Sequence, residues 1–140
     1  PMMLNRHPGY RAPILATSLG QVYLAFGSSE EREAVLAREA ENSDPWNNIA
    51  RDPATAKKFF DDIRRRGYAI MHPDYSRIEY RHTMTSVGVP IMFDGEVFAS
   101  INVLYLKKAL TSEQAVRTLL KPLQATAKKI AEELARRSDK

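Results

Sequence analysis

Cysteine is absent from this chain of 140 residues, which excludes disulfides, thiolate metal sites and cysteine nucleophiles. Histidine is scarce: only His7, His72 and His82 occur, and none has a ligand partner at the spacing that a metal site needs. No apolar run approaches the roughly 20 residues of a membrane span, and no signal-peptide pattern opens the sequence, so a cytoplasmic protein is the expectation. Repeats, linkers and low-complexity stretches are also missing. What is present is 44% hydrophobic and 27% charged, the balance of one soluble domain with a real core.

The net charge of +4 sits in clusters such as Arg64-Arg65-Arg66, Lys107-Lys108, Lys128-Lys129 and Arg136-Arg137. Most fall near expected helix ends, where cations suit the helix dipole, so solvated termini explain them better than a nucleic-acid surface does. Pro1 raises the question of an N-terminal proline base. The following residues, PMMLNRHPGYR, make a poor strand for such a site.

Residues 1–12 read as irregular. Leu19, Tyr23 and Phe26 then repeat at helical spacing, giving a helix from about Thr17 to Phe26 that Gly27 ends. Ser28 and Glu31 form a capping box for a second helix. NSDPWNNIARDP reads as a loop. Asp52 caps a third helix opened by Pro53 and closed by Gly67. From Gly67 the period changes to two: a short strand over Tyr68–Met71, a connector HPDYSRIEY, and two long strands around FDGEV. Thr111 and Gln114 box the start of a last helix with an apolar stripe from Val116 to Leu134, kinked at Pro122.

The strand register follows from the apolar pattern. If Asp94-Gly95 alone made the turn, Phe93 would face Glu96, and Val87, Val89 and Ile91 would share a face with Ser100 and Asn102. A three-residue loop pairs Phe93 with Val97, and that face becomes wholly apolar. A slip of one residue exchanges faces, so the second register is expected. The opposite face then carries His82, Met84, Ser86, Gly88 and Pro90 beside Phe98, Ser100, Asn102, Leu104 and Leu106. Small and polar groups within apolar walls suit a small-molecule pocket. The same face, covered by another segment with its hydroxyls bonded internally, would be merely structural.

Three stretches resemble one family. YRAPILATSLGQVYLAFGSSEEREAVL is similar to the H-A-T-A-L-G-K-A-L-L-A segment and following helix of IclR-family transcription regulators. RRRGYAIMHPDY resembles that family's helix-to-strand segment, and SVGVPIMFDGEVFASINVLYLKKALTSEQ its hairpin and capped last helix. The finer likeness is to the activators of aromatic-acid catabolism. The resemblance implies an α+β, GAF-like effector-binding domain, an antiparallel sheet backed by helices, occupying residues 1–140. It also implies a carboxylate held on backbone N–H groups where the first helix begins, which a helix start can do. Carried over, the anchor falls on Ser18 and Leu19, the lining on Met71, Met84 and Ser86, and the last-strand positions on Asn102 and Leu104. Thr17 caps the helix or contacts the ligand, and His82 is a polar group for the far wall.

This sequence departs from the family pattern. Met71 and Leu104 stand where acidic and hydroxyl residues are common, so a larger, aromatic acid is expected rather than a small keto acid. No winged helix-turn-helix precedes residue 1, so DNA contact would require a domain outside this chain. The family's first sheet strands are also expected from outside it, and a homodimer or tetramer is implied. No cofactor or enzymatic activity is expected. Glu79, His82 and Asp74 could form an acid–base set only if the connector folded onto the mixed face.

Overall fold

Thr17 turns the chain into its first helix. Its backbone is extended, at φ −93° and ψ 146°, and its hydroxyl accepts the Gly20 N–H at 3.1 Å. The computed structural model describes residues 8–140; Pro1, His7 and the first part of the expected irregular segment lie outside the described residues. Helix α1 spans Ser18–Phe26 and α2 spans Ser29–Glu39, with the Ser28 hydroxyl accepting the Glu31 N–H. Helix α3, Pro53–Arg66, has Asp52 as its cap and left-handed Gly67 as its stop. The last helix covers Ser112–Ser138 and contains Pro122; both bonds of its Thr111–Gln114 capping box form.

Two stretches that read as irregular are helical. Within NSDPWNNIARDP, Pro45–Arg51 forms a 3-10 helix that buries Trp46 and Asn47. The Arg51 guanidinium holds it by donating to the Ala40 and Asn42 carbonyls. HPDYSRIEY is helix α4, Pro73–Tyr80. Pro73 sits at the first helical position, as Pro53 does in α3, and the His72 ring accepts the Asp74 N–H through Nδ1 at 3.1 Å. Tyr75 and Tyr80 go into the core, where Tyr75 meets Trp46 edge-on at 5.4 Å. The last helix, Ser112–Ser138, is therefore α5.

Burial holds the His72 imidazole below its ordinary value near 6.5, against a weaker opposite pull from Asp74. The folded state thus takes up this proton less readily than the unfolded chain. The contribution is complete above the unfolded value and is lost as pH falls through the folded one. Melting temperature should fall on acidification below about pH 6.5. His72→Asn keeps a capping acceptor without the titration and should flatten that part of the profile.

The sheet is antiparallel in the order β1-β2-β3, with β1 only Ala69–Ile70, β2 Met84–Phe93 and β3 Glu96–Leu106. Val87 faces Val103, Val89 faces Ile101 and Ile91 faces Ala99, as the apolar face requires. The tip differs from the expected three-residue loop. Phe93 faces Glu96, and Asp94-Gly95 makes a two-residue turn with φ 52° and 77°. A bulge beside Ile91 and Met92 takes the extra residue, Phe98, and so reconciles the tight turn with the apolar ladder. Phe98 is left exposed against Phe93.

Helix α5 covers the apolar face, packing Leu123 and Ala127 on Val87, Val89 and Ile91. The opposite face meets the start of α1. The second core lies beyond it and joins Leu15, Val22, Leu24, Phe60, Ile63 and Tyr75. The architecture is α+β. Among the described residues β3 pairs only with β2, so its outer edge is open.

Candidate functional site

Gly88 is where α1 meets the sheet. A Cβ there would stand 3.0–3.1 Å from the backbone and Cβ of Ser18, so only glycine lets the helix start come this close. The approach creates a polar seam. The Ser18 and Ser86 hydroxyls lie 2.6 Å apart, Asn102 Nδ2 donates to Ser18 Oγ at 3.2 Å, and Ser100 Oγ donates to the Leu19 carbonyl at 3.1 Å. The loop before α1 is tied down as well: the His72 N–H donates to the Ala16 carbonyl at 2.9 Å.

Beside this seam is a hollow of about 410 Å³. Ala12, Ile14, Thr17, Leu19, Gly20 and Tyr23 form its helix side; Met71, Ser86, Ser100, Asn102 and Leu104 form its sheet side. None of these side chains is charged. Among the first N–H groups of α1, that of Gly20 goes to the Thr17 hydroxyl and that of Gln21 to the Thr17 carbonyl. The Ser18 and Leu19 N–H groups have no acceptor among the described residues. A carboxylate here would meet the positive end of a helix dipole and the Leu19 N–H on the lining, with the Ser18 N–H just behind it.

The structure brings Thr17, Leu19, Met71, Ser86, Asn102 and Leu104 together around this hollow. Ser18 lies behind it: the residue is fully buried and its hydroxyl is engaged by Ser86 and Asn102, so only its N–H has no partner among the described residues. Met84 does not line the hollow. Helix α4 covers that end of the sheet, Ser76 Oγ bonds the Met84 carbonyl, and the side chain joins the core. His82 is not at a far wall either. It sits exposed in the turn after α4 at φ 62°, with its N–H on the Ser76 carbonyl. Asp74 and Glu79 also lie outside the lining.

Sequence reasoning passed over Ala12, Ile14, Gly20 and Tyr23. Leu19 and Tyr23 were legible as one helix stripe, but that stripe walls the hollow, while Ser18, Gln21, Val22, Leu24 and Ala25 take the buried side. Gln21 turns inward to donate to the Leu15 carbonyl at 3.0 Å. The structural reading of this face foresaw internally bonded hydroxyls and no cavity; the bonded hydroxyls and a cavity are both present.

Residues 2–132 match the family model described as bacterial transcriptional regulator IclR C-terminal. Solved structures give the same fold. A Rhodococcus sp. RHA1 protein assigned as a transcriptional regulator superposes with a TM-score of 0.72 at 24% identity, over 96% of this chain and 52% of its own. The Agobacterium tumefaciens repressor BlcR gives 0.67 at 20% identity, over 93% of this chain and 51% of its own. The inducer binding domain of the Acinetobacter transcription factor PobR, a double mutant in complex with 3-hydroxybenzoic acid, gives 0.64 at 19% identity, over 89% and 69%. The chain thus spans about half the length of two of these regulators. With most of its length matched by the family model, the chain belongs to the IclR family of bacterial transcriptional regulators, as a C-terminal domain.

Proposed function

We propose that residues 1–140 form the ligand-sensing domain of an IclR-type regulator, binding a small organic acid in the hollow between α1 and the sheet. The observation that carries this is the start of α1 at an uncharged cavity, where the Leu19 N–H on the lining and the Ser18 N–H just behind it have no acceptor among the described residues. Ser86, Ser100, Asn102 and Thr17 offer further hydrogen bonds, while Leu19, Tyr23, Met71 and Leu104 suit an apolar body. These walls favour an aromatic acid, in keeping with the aromatic acid named in the PobR complex. The reading is of a binding domain and not an enzyme, since Asp74, Glu79 and His82 lie outside this hollow's lining. DNA would be read by a half of the regulator outside this chain. Binding would act through differential affinity for two arrangements of a homo-oligomer, a dimer or tetramer in the cytoplasm. No helix among the described residues is long and apolar enough to cross a membrane.

A thermal-shift series with hydroxylated phenylpropionates, benzoates and phenylacetates tests this. A bound acid stabilises the native state by about 2.7 kcal/mol at a hundredfold excess over Kd. A dose-dependent shift for one class is expected; a folded sample that no acid shifts would sink the reading. Asn102→Leu should weaken that binding severalfold. Its stability should change by less than about 1 kcal/mol, because the Ser18–Ser86 hydrogen bond remains.

A further inference from the structure

The hollow on the sheet is not the most spacious in the molecule. Another, of about 560 Å³, opens among α2, the 3-10 helix and α3 and shares no lining residue with the first. Its floor is apolar: Leu36, Ile49, Ala56 and Phe60. Its rim carries Arg32, Lys57 and Arg64 against Glu33 and Asp61, three cations to two carboxylates, a surplus of one positive charge. Lys57 and Arg64 both pair with Asp61.

Arg32 has no such partner. It is half-buried, its guanidinium carbon lies 5.8 Å from the Phe60 ring centre, and no carboxylate stands in ion-pair range among the described residues. Nη1 donates to the Leu24 and Gly27 carbonyls at 3.0 and 3.2 Å, which leaves Nε and Nη2 without an acceptor among the described residues. A partly desolvated guanidinium with spare donors beside an apolar floor is suited to a charge-assisted hydrogen bond with an anion. Burial and the neighbouring Arg64 cation lower its proton affinity, against weaker opposite pulls from Asp61 and Glu33. The apolar floor disfavours a strongly hydrated inorganic anion, and the surplus charge matches a monoanion.

We propose that this hollow is a second binding site, for a monocarboxylic acid with an apolar chain. Its carboxylate pairs with Arg32 and its chain lies on Leu36, Ile49 and Phe60. The carbonyls that Arg32 holds belong to the C-terminal end of α1 and the residue after it, so Arg32 ties this hollow to the helix that walls the first. The site stands on its own observations and does not depend on the acid proposed for the sheet.

Octanoate is the probe, with octanol as its uncharged counterpart, followed by two-dimensional amide NMR of the full chain. Octanoate should move resonances of α2, the 3-10 helix and α3, and octanol should bind roughly tenfold more weakly or worse, the loss expected with a charge-assisted hydrogen bond. Arg32→Gln should weaken octanoate to a similar degree. Ala50→Trp, which fills the hollow from its half-buried wall, should abolish these shifts, and Asn102→Leu should leave them unchanged. Equal binding of octanol, shifts confined to α1 and the sheet, or full binding by folded Ala50→Trp would each overturn the site. Because the comparison of octanoate with octanol needs no variant, the test stands even if a substitution impairs folding.

Discussion

Gly20→Ala should destabilise the domain by about 3 kcal/mol, although the exchange is usually favourable in a helix. In a helix interior alanine is better than glycine by about 1 kcal/mol. Here the new Cβ would stand 2.1 Å from the Ile14 carbonyl oxygen and 2.8 Å from the Ile14 C and Cα. Those are backbone atoms, and a side-chain rotation cannot move them aside. Nor is the segment free to swing away: the Ala16 and Thr17 N–H groups both bond the Pro13 carbonyl, and the Ala16 carbonyl accepts from His72. Relief of the clash must therefore break loop hydrogen bonds or shift α1 from its close seat on Gly88. The steric cost outweighs the propensity gain. Because Ile14 and Gly20 both line the first hollow, acid binding should fall together with stability. Urea unfolding measures the first and titration at low temperature the second. An alanine variant as stable as the parent would show that residues 12–17 yield freely.

The same region shows what could be read from the sequence. The body of the hairpin was legible because only one register makes Val87, Val89 and Ile91 face Val103, Ile101 and Ala99. The tip was not, because a bulge at Phe98 lets the chain use both the tight Asp94-Gly95 turn and the apolar ladder, and no residue type announces a bulge. Helix α4 had its signals, a first-position proline followed by Asp74, but it is only eight residues long, buries Ser76 and leaves Ile78 exposed, so no clean apolar face marks it. That omission carried through to the site. With α4 unrecognised, Met84 looked free to line the hollow and His82 to face it; the helix buries the first and its terminal turn exposes the second. The face of α1 misled for another reason. Ser18 and Gln21 are polar yet buried, each held by a hydrogen bond that only the folded chain can supply. Leu19, Ser86, Asn102 and Leu104 came from the family resemblance, and strand parity independently put the last three on the mixed face. Ala12 and Ile14 belong to a loop whose path periodicity does not reveal.

Ser18→Pro should fold and yet lose the acid. Ser18 is the first residue of α1, a position that proline suits, and Thr17 before it already has the extended φ and ψ that a following proline demands. Its N–H has no acceptor among the described residues, so the free protein loses no backbone hydrogen bond. What it does lose is the hydroxyl, which leaves buried Ser86 without that partner, at a cost of about 1–3 kcal/mol. Ser18→Ala carries the same loss but keeps the N–H, and the difference between the two variants isolates the anchor. A hydrogen bond to a carboxylate is worth about 1.5–3 kcal/mol, roughly ten- to a hundredfold in Kd. The proline ring also places carbon where the carboxylate would approach. Alanine should thus weaken the acid only severalfold and proline should abolish binding, as read by calorimetric titration with whichever acid shifts the melting temperature. Equal affinity in the two variants would move the carboxylate away from the helix. It would then have to rest on the side chains of Thr17, Ser86, Ser100 and Asn102, which are uncharged. Such a site would hold a protonated acid or an alcohol nearly as well as a carboxylate, so its affinity would no longer depend on the ligand's charge. A titration with the parent chain at two pH values, on either side of the acid's own ionisation, separates those cases. Anchoring on the α1 N–H groups requires tighter binding of the ionised form.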